Sequence, residues 1–373
     1  MTKSDDKRVP ALRFKGFTDE WEQRKLGHTI KYIGTGKSKC NDKSTGKYKI
    51  LGSTGVIGYS NHYDYDGDFI LTARVGANAG KLYRHSGKVK ITDNTVFIQG
   101  PQLNFIYYLL SNFDLKKLSF GSGQPLIKAS ELKKLFLNFP ITSIERKNIG
   151  IIFNKLECIL SLQQRKVKLI NKLKNALLTH FISKTSSQSA SKTLKDITNI
   201  RGGYAFKSSE FTKSGFPVIK IANISQNGEI EGPYSYVLSL KSDYQLAKND
   251  IVLAMSGATT GKIARVNSNN IYLQNQRVGY FVNNHKIDYN YLYYLLISDQ
   301  FKRQLERILI SGAQPNVSAS DIEKFKFVIL KSKKQQSKIS TLFKHIDYVL
   351  KAGNNKMHTL IQIKQFLLQN MFI

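Results

Sequence analysis

Two kinds of hydrophobic pattern alternate along this 373-residue chain, and each occurs twice. From Trp21 to about Thr142, short apolar runs are broken by Gly and Asn, which predicts β-strands. Such runs are Tyr48-Lys49-Ile50-Leu51, Phe69-Ile70-Leu71-Thr72-Ala73 and Thr95-Val96-Phe97-Ile98. Residues 105–118 then predict one helix. Residues 193–333 follow the same recipe, with Val218-Ile219-Lys220-Ile221, Asp250-Ile251-Val252-Leu253-Ala254 and Val278-Gly279-Tyr280-Phe281-Val282 before a helix from Tyr289 to about Ile308. Each stretch predicts a mixed α/β domain with an irregular sheet.

A different period follows each domain. Ile149, Ile152, Leu156, Ile159, Ile170, Leu173 and Leu177 keep 3–4 spacing, widened by Phe153, Leu160, Val167 and Phe181. The second stripe is Ile339, Leu342, Ile346, Val349, Leu360, Ile363 and Leu367. A period near 3.5 over about five heptads predicts coiled-coil packing; a broad stripe docked on its own domain is the alternative. Polar gaps interrupt both stripes, at Gln163-Gln164-Arg165-Lys166 and Ala352-Gly353-Asn354-Asn355. Antiparallel pairing sets the gaps opposite one another. Gly353 costs about 1 kcal/mol against Ala in a helix, which leaves open whether the second helix kinks, breaks or continues there. The expected layout is an N-terminal arm (1–20), domain one (21–142), helix one (143–183), a Ser-rich linker (184–192), domain two (193–333) and helix two (334–373).

The two halves are copies. Sliding the sequence by 190 residues lays 124–182 on 314–372 without a gap, and 12 of the 59 pairs are identical. Composition alone gives roughly one in sixteen, so the halves share ancestry of pattern. Gln124-Pro125 and Ala129-Ser130-Glu131-Leu132 meet Gln314-Pro315 and Ala319-Ser320-Asp321-Ile322. Upstream the offset falls to 186 at Tyr107-Tyr108/Tyr293-Tyr294, to 181 at Gly76/Gly257 and to 168 at Leu26/Leu194. Insertions therefore collect inside the second copy, where loops tolerate length and carry binding function. A unit this long is a whole domain with an appendage rather than a solenoid module. The fold class is α+β: two pseudo-symmetric mixed α/β domains, each followed by a long helix, the helices forming an antiparallel coiled coil.

Charge changes the picture. Lys and Arg number 57 against 26 Asp and Glu, a net +31, which points to a polyanionic partner through phosphate neutralisation. No apolar run reaches 18 residues, so no membrane partner is expected. Two cysteines, Cys40 and Cys158, in separate segments suit a reduced, cytoplasmic protein. The seven histidines have no metal-ligand spacing. Gly257-Ala-Thr-Thr-Gly261-Lys262 and Gly76-Ala-Asn-Ala-Gly80-Lys81 resemble a phosphate loop but hold three residues between the glycines instead of four. They read either as tight turns between strands or as turns whose amides and lysine meet DNA phosphate. Arg74, Gln276 and Arg277 join this set. The Gly-rich basic loops 34–39 (Lys37, Lys39) and 201–207 (Arg201, Tyr204, Lys207) differ in sequence and suit base reading or phosphate contact. Tyr107-Tyr108 and Tyr293-Tyr294 sit in apolar helices and read as core.

The joint architecture resembles the DNA-specificity (S) subunits of type I restriction–modification systems. The residues that carry it are Gly121-Ser-Gly-Gln-Pro125 and Ser311-Gly-Ala-Gln-Pro315, the Ala-Ser-acid-aliphatic segments, the paired long helices and Pro10-Ala-Leu-Arg-Phe-Lys-Gly-Phe-Thr-Asp-Glu-Trp21. That resemblance implies two target-recognition domains, each reading half of a split asymmetric site in double-stranded DNA. It implies no catalysis and no cofactor in this chain. Two methyltransferase (modification) subunits, and restriction (translocase/nuclease) subunits through them, would carry S-adenosylmethionine and ATP/Mg. The DNA-contact candidates are then Lys37, Lys39, Arg74, Asn78, Lys81, Gln124, Arg201, Tyr204, Lys207, Thr259, Thr260, Lys262, Gln276, Arg277 and Gln314. The partner-binding candidates are Ile152, Leu156, Leu169, Leu177, Ile346, Leu350, Leu360 and Leu367, with Ile151, Leu162, Leu169, Leu350 and Met371 expected as apolar positions beyond a two-helix seam. Two competing readings are a self-contained DNA-modifying or DNA-cleaving enzyme and a structural nucleic-acid protein without sequence preference. Absence of a repeated acid cluster or cofactor loop argues against the first, and divergence of the loops argues against the second.

Overall fold

The computed structural model describes residues 8–39, 45–118, 126–183, 189–311 and 316–373. Two compact units emerge: Met1–Arg165 with Asn354–Ile373, and Lys166–Gly353. Both divisions fall inside the long helices, within the two polar gaps. A stretch without large apolar side chains gives neither core anything to bury.

The first unit is built on a four-stranded antiparallel sheet in the spatial order Tyr32–Thr35, Thr95–Gln99, Asp68–Ala73, Leu82–Ser86. The apolar run Phe69-Ile70-Leu71 is buried on both faces, which is why it reads as continuous rather than alternating. One face packs on Leu103–Phe113 and the start of the first long helix; the other meets a smaller sheet of Gly55–Ser60, Tyr48–Gly52 and Val89–Ile91. Glu22–Lys25 pairs with Phe136–Phe139. Trp21, only 2% exposed, meets Phe105 and Phe372 edge-on at 6.3 Å each. The polar arm is docked from residue 8 onward. Arg13 donates two hydrogen bonds, of 2.7 and 2.9 Å, to the buried Glu145 carboxylate, which holds its guanidinium above the usual range. The Leu12 amide bonds the Asn370 carbonyl at 2.8 Å.

The second unit repeats this plan. Its four-stranded sheet runs Ile200–Arg201, Val278–Phe281, Ile251–Ala254, Ile263–Arg265, all antiparallel. The companion sheet has five strands instead of three, in the order Phe211–Thr212, Ser235–Val237, Phe216–Ile219, Tyr272–Gln274, Gln245–Leu246. The two extra strands, Phe211–Thr212 and Gln245–Leu246, lie between the 168 and 181 offsets, where the insertion falls. Ser189–Thr193 pairs antiparallel with Lys326–Leu330. The stretch read as a linker therefore ends in a strand, because ladder hydrogen bonds use backbone and need no apolar side chains.

The domain helices depart from the sequence reading in two ways. The first expected domain helix is Leu103–Phe113, closed by Asp114 at φ 57° and followed by a 3₁₀ turn, Leu115–Leu118. Its counterpart divides into Tyr289–Leu296 and Asp299–Ser311, the Ser298 hydroxyl donating to the Leu295 carbonyl at 2.6 Å. The long helices, Ser143–Ser183 and Lys333–Asn370, are unbroken, and the second passes through Gly353 without interruption. Packing of the flanking turns outweighs the glycine's intrinsic cost.

Within each unit the two long helices pack antiparallel. Phe153 packs against Phe372, rings tilted and 5.7 Å apart, in the first, and Leu178 and Phe343 share one core in the second. The buried or half-buried seam runs Ile149, Phe153, Leu156, Leu160, Gln163, Val167, Ile170, Lys174, Leu177, Phe181, with alternating steps of four and three. On the other helix it is Ile339, Phe343, Ile346, Leu350, Gly353, Met357, Leu360, Lys364, Leu367, Met371. Ile159, Leu173, Leu342, Val349 and Ile363, read from sequence as part of the stripe, are exposed. Leu350 and Met371, read as lying outside the seam, are buried within it.

Candidate nucleic-acid interface

Sheet topology gathers the basic loops. In the first unit Thr35, Ala73, Leu82 and Thr95 lie at one end of the four-stranded sheet, as the registers Thr35↔Val96, Ala73↔Thr95 and Thr72↔Leu82 require. Lys37 and Lys39 are exposed on the loop leaving that end, which is tied down by Ser38 Oγ donating to Asp64 at 2.6 Å. Arg74, half-buried, follows the next strand; its amide donates to the Asn94 carbonyl at 2.9 Å. Asn78 and Lys81 are exposed on the turn beyond. Residues that lie 35 to 44 positions apart in sequence thus stand on one rim.

The second unit presents the equivalent rim. Tyr204 exchanges backbone hydrogen bonds with Gln274 and Gln276, and Met255 donates to the Arg277 carbonyl. Gln276, Arg277 and Lys207 are exposed; Tyr204, Thr259, Thr260 and Lys262 are half-buried. The Tyr204 ring packs on Phe206 and Tyr244 at 4.8 and 5.5 Å, with the Lys241 ammonium 4.9 Å above it. Arg201 is committed to its own domain: it stacks on Tyr280 at 4.6 Å and donates to Gln274 Oε1 and the Gln245 carbonyl. Gln124 and Gln314 lie outside the described residues. Their neighbours return to this rim in both units, Ile127 donating to the Arg74 carbonyl at 2.8 Å and Val317 to that of Met255 at 2.9 Å.

The repeated glycine turns are now explained. Gly76, Gly80, Gly257 and Gly261 all have φ between 74° and 86°, where a side chain is strained, so glycine recurs for backbone reasons. The amides of Ala79 and Lys81, and of Thr260 and Lys262, donate to carbonyls of the turn itself. They are spent. Those four amides are therefore not available to a phosphate, which puts more of any contact there on the side chains. Behind each turn lies a cavity, of about 330 Å³ beside Lys81, Tyr107 and Lys116 and about 410 Å³ beside Lys262, Tyr293 and Lys302. Tyr108 and Tyr294 are core, their phenols pushed up by burial first and then by the charge of Glu157 and Asp347 respectively, and they act as donors to Asn154 and Asp347.

Two groups escaped the sequence reading. On the first unit's smaller sheet, Tyr48 and Tyr63 pair at 5.0 Å with Lys47 and Lys88 over their rings, at 5.5 and 4.8 Å. Their spacing has no period, so only the fold unites them. The other group is Arg84, Glu157, Arg265 and Asp347, which stand in repeat register at offsets of 181 and 190; carrying the alignment past the glycine turns finds them.

Of the partner-helix candidates, Leu169 is 55% exposed and Leu350 is buried, Leu156, Leu177, Ile346, Leu360 and Leu367 are half-buried in the seam, and Ile152 is half-buried beside it against the first unit's core. Among the described residues no helix is long and apolar enough to cross a membrane, and no group of three or more His, Cys, Asp or Glu side chains is placed to hold a metal.

Comparison with known proteins agrees with this architecture. The family model described as "Type I restriction modification DNA specificity domain" matches residues 18–175 and again 187–364. The chain is 25% identical, over 93% of its length and 91% of the relative's, to the type I restriction enzyme MjaVIII specificity subunit of Methanocaldococcus jannaschii. A putative type I specificity subunit of Mycoplasma pneumoniae, S.MpnORF285P, is 23% identical over 30% of this chain and 39% of its own. In fold the chain is similar to the crystal structure of a type I restriction–modification S subunit from M. genitalium, with TM-score 0.72 and 18% identity, covering 98% of this chain and 99% of that one. A chain from a structural study of type I complex assembly and conformational transition gives TM-score 0.55 at 12% identity, covering 94% and 97%. Both matched stretches hold one recognition domain and most of one long helix, and together they span nearly the whole sequence: the chain belongs to the type I restriction–modification DNA specificity family and has that family's general role of a DNA-binding specificity subunit.

Proposed function

We propose that the two recognition domains read the two different halves of a split, asymmetric site in double-stranded DNA. One observation carries this reading. In both units divergent basic loops converge on the same end of the same sheet, so one frame presents two different sets of side chains. Lys37, Lys39, Arg74, Asn78 and Lys81 serve the first half-site. Tyr204, Lys207, Gln276, Arg277 and Lys262 serve the second, with Arg201 supporting its loop from behind. Gln124 and Gln314 remain candidates by sequence. Bases are read by groove-edge hydrogen bonds and shape, while the lysines fix register on phosphates.

The exposed face of the first long helix supports the second part of the proposal, that this chain docks two modification subunits. Restriction subunits attach through them, and S-adenosylmethionine, ATP and Mg are held by those partners. Such a complex works in the cytoplasm, where DNA is present and the exposed Cys158 thiol stays reduced. Halves read one helical turn apart have centres about 34–36 Å apart, within the roughly 57 Å that a helix of about 38 residues spans.

Methylome sequencing of cells expressing the chain with its modification partner tests the proposal. The expected motif has two specified, non-identical halves of about three to five base pairs around an unspecified gap, their centres about one turn apart. A single continuous motif would overturn it. Methylation by the purified chain alone would favour the self-contained enzyme.

A further inference from the structure

The two units hold the same polar cluster at the junction of domain and helices. In the first, Arg84 follows the glycine turn by three residues, stacks on Tyr107 at 4.4 Å and hydrogen-bonds Asn154 and Glu157 of the first long helix. Glu157 in turn accepts from Lys364 of the second long helix at 2.7 Å, and that ammonium lies 5.8 Å from the Tyr108 ring. In the second, Arg265 stands at the same place after its turn and stacks on Tyr293 at 4.3 Å. Tyr294 donates to Asp347 at 2.8 Å, Lys174 of the first long helix bonds Asp347 at 2.6 Å, and its ammonium lies 6.0 Å from the Tyr294 ring. Arginine, two tyrosines, acid and lysine recur at equivalent positions. Two differences stand out: Asp347 is a methylene shorter than Glu157, and Arg265 makes its contact through the ring.

Lys174 and Lys364 occupy seam positions, where an apolar residue would pack better. The aliphatic positions of such a seam are degenerate on their own, since a slide of one heptad again sets aliphatic against aliphatic. The lysines are not. A slide of seven residues would set Ser340 or Asn354 where Asp347 stands, leaving Lys174 without its carboxylate. A polar group at a core position is the recognised way for a helix pair to specify register at some cost in stability. The arginine and tyrosines extend the same cluster into the domain sheet, so it holds the domain on the helices as well.

We infer that these two clusters are register locks, with Lys174, Lys364, Arg84 and Arg265 as positioning residues that set the gap between the half-sites the assembled complex accepts. The inference rests on the split-site reading. One heptad is about 10.5 Å of helix, equivalent to about three base pairs at 3.4 Å, so loss of register changes which gaps are accepted and leaves the bases read within each half unchanged.

The test is Lys174→Met combined with Lys364→Met, in the full chain assembled with its modification subunits. Methylation is measured on duplexes carrying the native halves with gaps from three base pairs shorter to three longer. The unaltered chain is expected to favour one gap by tenfold or more. The methionine variant is expected to fold with an unchanged or raised Tm, because apolar groups now fill the seam, yet to favour that gap by less than threefold. A second variant exchanges the charges, Glu157→Lys with Lys364→Glu and Asp347→Lys with Lys174→Glu, and is expected to recover at least part of the gap preference. Retention of the tenfold preference by the methionine variant would overturn the inference, and so would its failure to fold, which would make the lysines purely structural. Should the specificity reading itself be wrong, the unaltered complex would methylate none of the duplexes, a different outcome from a relaxed gap.

Discussion

Glutamate at both Leu169 and Leu173 is expected to abolish assembly with the modification subunits while leaving both recognition domains folded. The two side chains are 55% and 54% exposed, and Leu162 on the same face is 60% exposed. At helical spacing, Ile151, Ile159, Leu162, Leu169 and Leu173 form a stripe turned away from the seam. Apolar side chains at this density on one helix face mark a surface that another protein covers. Burying each leucine contributes about 1.5–3 kcal/mol, and an uncompensated glutamate in its place adds a desolvation penalty of several kcal/mol. The pair together should cost more than about 5 kcal/mol, roughly a thousandfold or more in affinity. Co-elution on size exclusion reads assembly, and far-UV circular dichroism reads the fold. Leu177 is a poorer probe than its exposed neighbours, since it packs against the second unit's core, and a charge there would unfold as well as undock. Assembly of the Leu169/Leu173 variant at unaltered affinity would remove the helix face from the interface.

Salt should weaken DNA binding steeply. With a net charge of +31 and two basic rims, six or more phosphate contacts are expected. At about −0.9 in log affinity per contact, raising salt from 50 to 200 mM then lowers affinity about a thousandfold. Replacing Lys37 and Lys39 together by alanine should reduce the slope by about two and leave base preference unchanged. Fluorescence anisotropy of the assembled complex on a site-bearing duplex measures both. A slope near zero would contradict phosphate neutralisation as the source of affinity.

The repeat, the α+β class and the antiparallel helix pair were legible because each has a period or an alignment. The phase of the seam was not. Residues 149, 152, 156, 159 and residues 149, 153, 156, 160 both satisfy alternating three- and four-residue steps, so spacing admits either face. What selects the second is tertiary: Phe153 stacks on Tyr108, and the lysines at 174 and 364 find carboxylates. Helix ends were illegible for a similar reason. Nothing apolar changes at Asp114, where the chain turns left-handed, or at Ser298, where a side-chain hydroxyl takes over a carbonyl. On the site, composition pointed to basic loops and topology placed them on common rims. Arg201 shows the limit of that reasoning. A basic residue in a Gly-rich loop looks like a DNA contact, but this one stacks on Tyr280 and bonds Gln274.

If each domain reads its own half of one site, exchange of one domain alters one half alone. Residues 21–142 are replaced by the equivalent domain of a relative with a different motif, and the methylome of cells carrying the exchanged chain with its modification partner is sequenced. The expected result is a new motif in which one half changes, the other half is unaltered and the gap keeps its length. A motif in which both halves change, or one in which neither does, would contradict the claim.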